Sequence, residues 1–183
     1  MTTRHVALIR GINVGTAKRV AMADLRALVE KLGYRDVRTL LNSGNVVFTV
    51  PAGEKGDPGA RISEAMARKL NVSARVVALE AAELAAVVKA NPLAKVATNP
   101  SRYMVAFLAD PADRRLLAPL AKQEWAPDSL ALGKRVAYIW CASGLLESRA
   151  VEAVGRVLKD SVTIRNWATV TKLHALANAP ASS

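Results

Sequence analysis

The hydrophobic and polar positions in the first half of the chain predict alternating strands and helices. Short apolar runs are typical of strands, and apolar residues spaced three and four apart are typical of helices. Gly33 stops the first helix, and Asn42-Ser43-Gly44-Asn45 is a hairpin signal between two strands. The predicted order is strand 4–10, helix 22–32, strands 36–41 and 46–50, loop 51–59, helix 62–70, strand 74–79 and helix 80–90.

The second half of the chain repeats this order. It predicts strand 103–109, a helix that opens at Pro111, strands 129–132 and 135–141, helix 146–158, strand 162–165 and helix 167–177. Each half matches the split strand-helix-strand arrangement of ferredoxin-like lobes. We therefore predict an α+β protein of two similar ferredoxin-like βαββαβ(α) lobes packed together. The predicted lobes are 1–92 and 100–178, and a flexible tail covers 179–183.

Composition narrows the class of protein. Hydrophobic residues make up 51% of 183 residues, which excludes a disordered chain. No apolar run reaches the roughly 20 residues that span a bilayer, and no basic leader with a cleavage site begins the chain. We expect a cytoplasmic protein that does not bind membranes. One cysteine and two histidines predict no internal disulfide and no metal site.

The formal net charge of +11 favours anionic partners. A phosphorylated small molecule and nucleic acid both fit this charge, whereas the alternative is simply a basic, well-solvated surface. The basic residues are spread along the chain, and no block of five or six of them occurs. Aromatic residues are scarce at 4%, and Phe48 is the lone candidate for stacking on a base in the first lobe.

The predicted topology brings two polar loops to one edge of the first sheet. In a split strand-helix-strand unit the first two strands are parallel and the third runs back between them. Arg10-Gly11-Ile12-Asn13-Val14-Gly15 follows the first strand and Asn42-Ser43-Gly44-Asn45 follows the second. Lys18 and Arg19 come just before a helix, whose first N–H groups attract anions. The candidate ligand contacts at this edge are Arg10, Asn13, Gly15, Lys18, Asn42, Ser43 and Asn45.

A purely structural interpretation of these loops stays open. Gly11 and Gly15 are equally suited to turn geometry, and the Asn42–Asn45 segment to an ordinary hairpin. The spacing of Gly11 and Gly15 is neither that of a phosphate-binding Walker loop nor that of the dinucleotide fingerprint.

Residues 163–173 form a second candidate region. Arg165, Asn166 and Lys172 would complete an anion site between the lobes. In the structural alternative, Asn166 caps a helix, Trp167 packs between the lobes and Arg165 pairs with an acid.

Three segments of the chain resemble the signature segments of a bacterial family, the domain of unknown function 1697. They are LIRGINVG, LLNSGNVVF and TIRNWATVTKL, in this order, and the resemblance extends over about residues 4–176. It implies two similar α+β lobes and no agreed catalytic residues. Members of that family often have Gly-Gly-Lys-Asn after the Asn-Val pair. This chain has Gly15-Thr16-Ala17-Lys18, so its lysine is shifted along the loop.

No arrangement typical of catalysis is evident. His5, His174 and Cys141 are more typical of packing or surface positions than of a triad or a nucleophile. Whether the chain is an enzyme stays open, and no cofactor is predicted. The leading hypothesis is binding of a phosphorylated or nucleotide-like small ligand. The alternatives are a nucleic-acid-binding module and a protein-interaction scaffold, and the sequence leaves the oligomeric state open.

Overall fold

The computed structural model describes residues 1–16 and 18–181. Ala17, Ser182 and Ser183 lie outside the described residues, so the predicted tail 179–183 is described only as far as Ala181. The elements in chain order are β1 (Thr3–Ile9), α1 (Met22–Lys31), β2 (Arg35–Leu40), β3 (Asn45–Val50), α2 (Pro58–Leu70), β4 (Val76–Glu80), α3 (Ala81–Ala90), β5 (Tyr103–Leu108), α4 (Arg114–Ala121), β6 (Ser129–Leu132), β7 (Val136–Trp140), α5 (Arg149–Leu158), β8 (Val162–Asn166) and α6 (Trp167–Asn178).

The strands form two four-stranded sheets with the same topology. Their orders are β2-β3-β1-β4 and β6-β7-β5-β8, and every neighbouring pair is antiparallel. Two helices connect the strands of each sheet, as a ferredoxin-like lobe requires. The predicted class, α+β with two similar ferredoxin-like lobes, is confirmed. The chain divides into unit 1, which is Met1–Ala85 together with the segment from Leu173 onward, and unit 2, which is Ala86–Lys172.

The register of the first sheet confirms the predicted path of its third strand. β3 lies between β1 and β2, with Leu8 and Leu40 both opposite Asn45. β1 and β2 are therefore parallel, and both end at the same edge of the sheet. β4 starts at that edge as well, because Ile9 lies opposite Val76 in an antiparallel pair. Three loops thus meet there: residues 10–21, 41–44 and 71–75.

α1 and α2 cover one face of the first sheet and form the core of unit 1. Leu25 and Val29 of α1 and Ile62 and Met66 of α2 pack with the sheet residues in one buried cluster. Asp57 caps α2 by accepting hydrogen bonds from the N–H groups of residues 59 and 60 at 2.9 and 3.3 Å. These two helices fix the position of the loop edge relative to the core.

Unit 2 has an equivalent core, in which α4 and α5 pack on one face of its sheet. The Ser148 hydroxyl caps α5 by accepting a hydrogen bond from Val151 N–H at 3.2 Å, and it donates to a carboxylate oxygen of Asp128 at 2.7 Å. Ser148 is 4% exposed. This buried contact ties the start of α5 to the segment that precedes β6.

Several predicted boundaries were wrong by one turn or less because capping groups decide where helices begin. The helix predicted from residue 146 begins at Arg149 after the Ser148 cap, and Leu146 is 95% exposed. Pro111 opens a single 3-10 turn rather than α4 itself. Glu80 ends β4 instead of starting α3, and α2 begins at Pro58, inside the predicted loop.

The sheet of unit 2 is buried on its other face too. Tyr138 donates a hydrogen bond from its hydroxyl to the carbonyl of Val87 at 2.8 Å, and Tyr103 donates to Asn91 Oδ1 at 3.0 Å. Residues 87–91 therefore lie over this face. Burial raises the pKa of each tyrosine to about 12 because the charged phenolate would be desolvated.

In unit 1, a cluster of charged side chains anchors the C-terminal segment. Asp36 pairs with Arg4 at 2.5 Å and with Arg38 at 2.9 Å. Arg4 also donates to the carbonyl of Ala179 at 2.9 Å, and Arg38 donates to that of Pro180 at 2.5 Å. The first residues of the predicted tail are thus held by hydrogen bonds.

Candidate functional site

Asn13 organises the first loop of the candidate site. Its side-chain N–H₂ group donates to the carbonyls of Val20 at 2.8 Å and Asn42 at 2.7 Å, and its side-chain oxygen accepts from Val20 N–H at 2.8 Å. A carboxamide has only two N–H donors, so both are used within the protein. Asn13 has a φ of +56°, in the left-handed region that asparagine tolerates better than most residues. Its side chain therefore shapes the loop.

The second loop packs closely against the first. Gly44 has a φ of +84°, and a Cβ atom there would lie 2.8 Å from Ile12 Cδ1 and 2.9 Å from Ile9 Cβ. Asn45 is buried and its side-chain N–H₂ group donates to Leu40 O and Ser43 Oγ, both at 2.9 Å. Glycine is therefore required at position 44, and Asn45 and Ser43 stabilise the hairpin from within.

Four basic residues lie in the three loops at this edge. Arg10 is half-buried, and its backbone N–H donates to the carbonyl of Arg75 at 2.9 Å. The exposed Lys18 donates from Nζ to Ser73 O, and Arg19 donates from one guanidinium nitrogen to Gly15 O at 2.7 Å. Lysine has three N–H donors and arginine five, so Lys18 and Arg19 each retain donors for an anion after these contacts.

A pocket of 320 Å³ opens between the two loops and the start of α1. Asn13, Arg19, Val20, Ala21, Met22 and Asn42 line it. Ala21 occupies the N-cap position of α1 and makes no side-chain capping bond. The first N–H groups of a helix lack partners within the helix and carry a partial positive charge. An arginine and an uncapped helix start therefore share one small pocket.

Some of the residues predicted to contact a ligand lie together around this pocket, and others lie elsewhere. Asn13 and Asn42 are hydrogen bonded to each other and line it, whereas Lys18 reaches towards the loop before β4. The predicted contacts omitted Arg19 and Arg75. The sequence signal that could have added Arg19 to the predicted contacts is its position just before the start of the predicted helix. Arg75 could have been found from the antiparallel pairing of β4 with β1, which brings the start of β4 to this edge.

Arg165, Asn166 and Lys172 lie at the end of β8 and on α6. Asn166 Oδ1 accepts a hydrogen bond from Thr169 N–H at 2.9 Å and so caps α6. The guanidinium of Arg165 donates to Thr163 Oγ1 at 3.0 Å and to Ile164 O at 2.9 Å. Burial lowers the pKa of Arg165 to about 10, because desolvation disfavours the charged form. Lys172 is exposed. The role of these three residues in anion binding stays a prediction.

Cys141, the residue that follows β7, is fully buried. Burial raises the pKa of its thiol, and the neighbouring Ser148 opposes this rise only in part. A thiol in this environment is a poor nucleophile. Within the part of the chain that the structure describes, no group of three or more His, Cys, Asp or Glu residues could hold a metal ion.

Comparison with known proteins identifies the family. A sequence model described as "Protein of unknown function (DUF1697)" matches residues 1–138. The chain belongs to this family. Its fold is similar to that of a solved structure, the conserved bacterial protein SP0830 from Streptococcus pneumoniae, with a TM-score of 0.80 and 24% identity over 97% of this chain and 100% of that chain. No curated protein matches the sequence.

The DUF1697 match covers the loop edge of unit 1 and all the residues of the pocket, whereas Arg165, Asn166 and Lys172 lie beyond it. In residues 1–16 and 18–181, no helix has the length and apolar character needed to cross a membrane.

Proposed function

We propose that this DUF1697 protein binds a phosphorylated or nucleotide-like small ligand in the pocket at the start of α1. The observation that carries the proposal is that Arg19 and the uncapped first residues of α1 line the same cavity. A phosphate group in this cavity would accept hydrogen bonds from backbone N–H groups and from a guanidinium fork. The volume of 320 Å³ fits a small ligand or the phosphorylated end of a larger one.

The positive charge around the pocket favours binding of an anionic ligand. Arg10, Lys18 and Arg75 lie in the loops that meet at the same sheet edge, and the chain as a whole carries +11. A positive field raises the local concentration of anionic ligands and their association rate. Asn13 and Gly44 contribute differently, since they fix the shape of the two loops. Lys18 and Arg10 are the proposed outer contacts.

The sheets offer little support for nucleic-acid binding through stacked bases. Phe48 is fully buried in the core of unit 1, with its ring centroid 4.9 Å from that of Tyr34. Tyr103 and Tyr138 are 2% and 1% exposed. Single-stranded RNA needs exposed aromatic faces on a ferredoxin-like sheet. The small-ligand hypothesis is therefore the one that the geometry favours.

A thermal-shift screen with phosphorylated metabolites, nucleotides and short oligonucleotides at near-physiological salt tests the proposal. A ligand at about 100 times its dissociation constant stabilises the protein by roughly 2.7 kcal/mol, a shift of several degrees. We expect a shift with a small phosphorylated compound that is lost in Arg19→Ala and weakened in Arg19→Lys, because lysine keeps the charge and loses the fork. Arg26→Ala is the matched control, since Arg26 lies on α1 and pairs with Glu30 at 2.9 Å outside the pocket.

Arg10→Ala extends the test to the outer contacts. We expect it to reduce binding of the same compound while the melting temperature of the free protein changes little. A large loss of stability instead would make Arg10 structural. Shifts with oligonucleotides alone, steeply dependent on salt, would favour the nucleic-acid alternative. A shift that persists in Arg19→Ala would contradict the proposed pocket.

A further inference from the structure

A second cavity lies between α1 and α2, on the side of the first sheet that carries both helices. It is a groove of 540 Å³ and shares no lining residue with the pocket at the start of α1. Ala27 and Ala65 lie on its two sides, among the larger Leu28, Leu32 and Leu70. Because alanine is small, these two positions leave the groove open between the larger side chains. A helix of a partner could place a ridge of apolar side chains there.

The charges along the groove are predominantly positive. Four basic residues line it, namely Lys31, Arg61, Arg68 and Lys69, against two acidic ones, Asp24 and Glu64. Glu64 is paired with Arg68, and Arg61 is paired with Glu54 outside the lining. Arg61 also donates to Leu32 O at 3.3 Å. These contacts leave Lys31 and Lys69, both exposed, as the cations best placed to meet a partner.

The two lysines lie at opposite ends of the groove. β1 and β3 are antiparallel, and α1 and α2 each run back along the sheet after one of these strands, so the two helices are antiparallel. Lys31 is in the last turn of α1 and Lys69 is in the last turn of α2. The groove has an apolar floor and a lysine at each end, and Asp24 in the first turn of α1 lies at the Lys69 end. With four basic lining residues against two acidic ones, this arrangement matches a helix that carries an apolar stripe flanked by carboxylates.

We propose that the α1–α2 groove binds an acidic amphipathic helix of a partner protein. The net charge of +11 argues against a second copy of this chain as the occupant, because like charges repel across an interface. The carboxylates of the partner would pair with Lys31 and Lys69, and its apolar stripe would lie over Ala27 and Ala65. The groove and the ligand pocket share no lining residue and are tested with different probes, so failure of one proposal does not refute the other.

A synthetic peptide of about 18 residues provides the probe. It carries Leu at helical spacing on one face and Glu on the other, with a fluorophore at one end, and its binding to the full chain is followed by fluorescence anisotropy. A second peptide has the same composition in an order that destroys the apolar face. We expect the full chain to bind the first peptide and not the second. Equal binding of the two would overturn the proposal, since charge alone would then explain the affinity.

Three variants separate the contribution of charge from that of shape. The double variant Lys31→Glu, Lys69→Glu is expected to lower the affinity for the peptide about 10-fold or more. The control, Lys122→Glu with Lys134→Glu, changes the net charge by the same amount in unit 2 and is expected to change the affinity by less than about 2-fold. Ala27→Arg adds a positive charge but fills the groove, and we expect it to weaken binding. Tighter binding by Ala27→Arg, equal effects of the two double variants, or no binding of the amphipathic peptide would each refute the proposal.

Discussion

The side chain of Asn13 donates a hydrogen bond of 2.7 Å to the carbonyl oxygen of Asn42, and this bond joins the two loops that follow the parallel strands of unit 1. The same carboxamide closes the first loop through Val20. One asparagine therefore holds the shape of the pocket at the start of α1, and the residues available to contact a ligand there are its neighbours.

The first prediction concerns Asn13. Asn13→Gly keeps the positive φ accessible and removes the side-chain hydrogen bonds, so we expect a loss of about 1–3 kcal/mol in the free energy of unfolding. Asn13→Ala is expected to lose about 1 kcal/mol more, because a Cβ atom disfavours the left-handed region. Urea titrations followed by circular dichroism measure both. If the glycine variant were as stable as the original protein, the side-chain bonds would contribute nothing to the fold.

The second prediction compares two glycines with positive φ. Gly44→Ala would place its Cβ atom 2.8 Å from Ile12 Cδ1, whereas Gly15→Ala would meet none of the described residues within 4 Å. We expect Gly15→Ala to cost about 1 kcal/mol from backbone strain alone, and Gly44→Ala about 2–4 kcal/mol because the loop around the buried Gly44 must also move. Thermal unfolding of the two variants provides the comparison. Equal melting temperatures would show that the packing of Gly44 on Ile12 is not tight.

The third prediction concerns alkaline pH. The pKa values of Tyr103 and Tyr138 are raised from 10 to about 12 in the folded protein. The unfolded chain therefore releases these protons first, and stability falls as pH rises from about 10 to about 12. Tyr138→Phe removes one titrating group and its hydrogen bond to Val87. We expect this variant to be less stable at neutral pH but to lose stability less steeply above pH of about 10. An unchanged slope would contradict the assignment.

The fourth prediction concerns the single cysteine. Cys141 is fully buried and its thiol pKa is raised, so little thiolate forms and reagents cannot reach it. We expect labelling by a chromogenic disulfide to be slow in the native protein and to follow the unfolding transition in urea. No second thiol contributes to the signal, because the chain has one cysteine. Rapid stoichiometric labelling without denaturant would show that the core of unit 2 opens at β7.

Local signals explain why much of the fold was predictable. Gly33, with a φ of +92°, ends α1 as its position indicated, and the Asn42–Asn45 segment forms the predicted hairpin. The helix starts were less accurate, because a start such as that of α5 depends on a single capping contact, that of Ser148 with Val151 N–H, rather than on the spacing of apolar residues. Such a contact leaves no periodic signal in the sequence.

The candidate site, like the fold, was predictable from the sequence only in part. The pattern of strands and helices was sufficient to place the Arg10–Gly15 and Asn42–Asn45 segments at one sheet edge, because parallel strands joined by a helix must end together. It could not assign roles to the side chains. Asn13 and Arg19 both line the pocket, but Asn13 uses its amide group within the protein, as the buried Asn45 does, whereas Arg19 retains N–H donors. These differences depend on distances between loops far apart in sequence.

The sequence by itself determined the fold class, the repeated order of elements and the edge at which polar loops meet, because hydrophobic periodicity and turn residues act over a few positions. The family was indicated separately, by the resemblance of three segments to its signature segments. Only the tertiary structure decided which polar groups satisfy one another and which line a cavity. Burial, hydrogen-bond partners and the groove between α1 and α2 arise when segments distant along the chain pack together, and no local pattern records how they will pack.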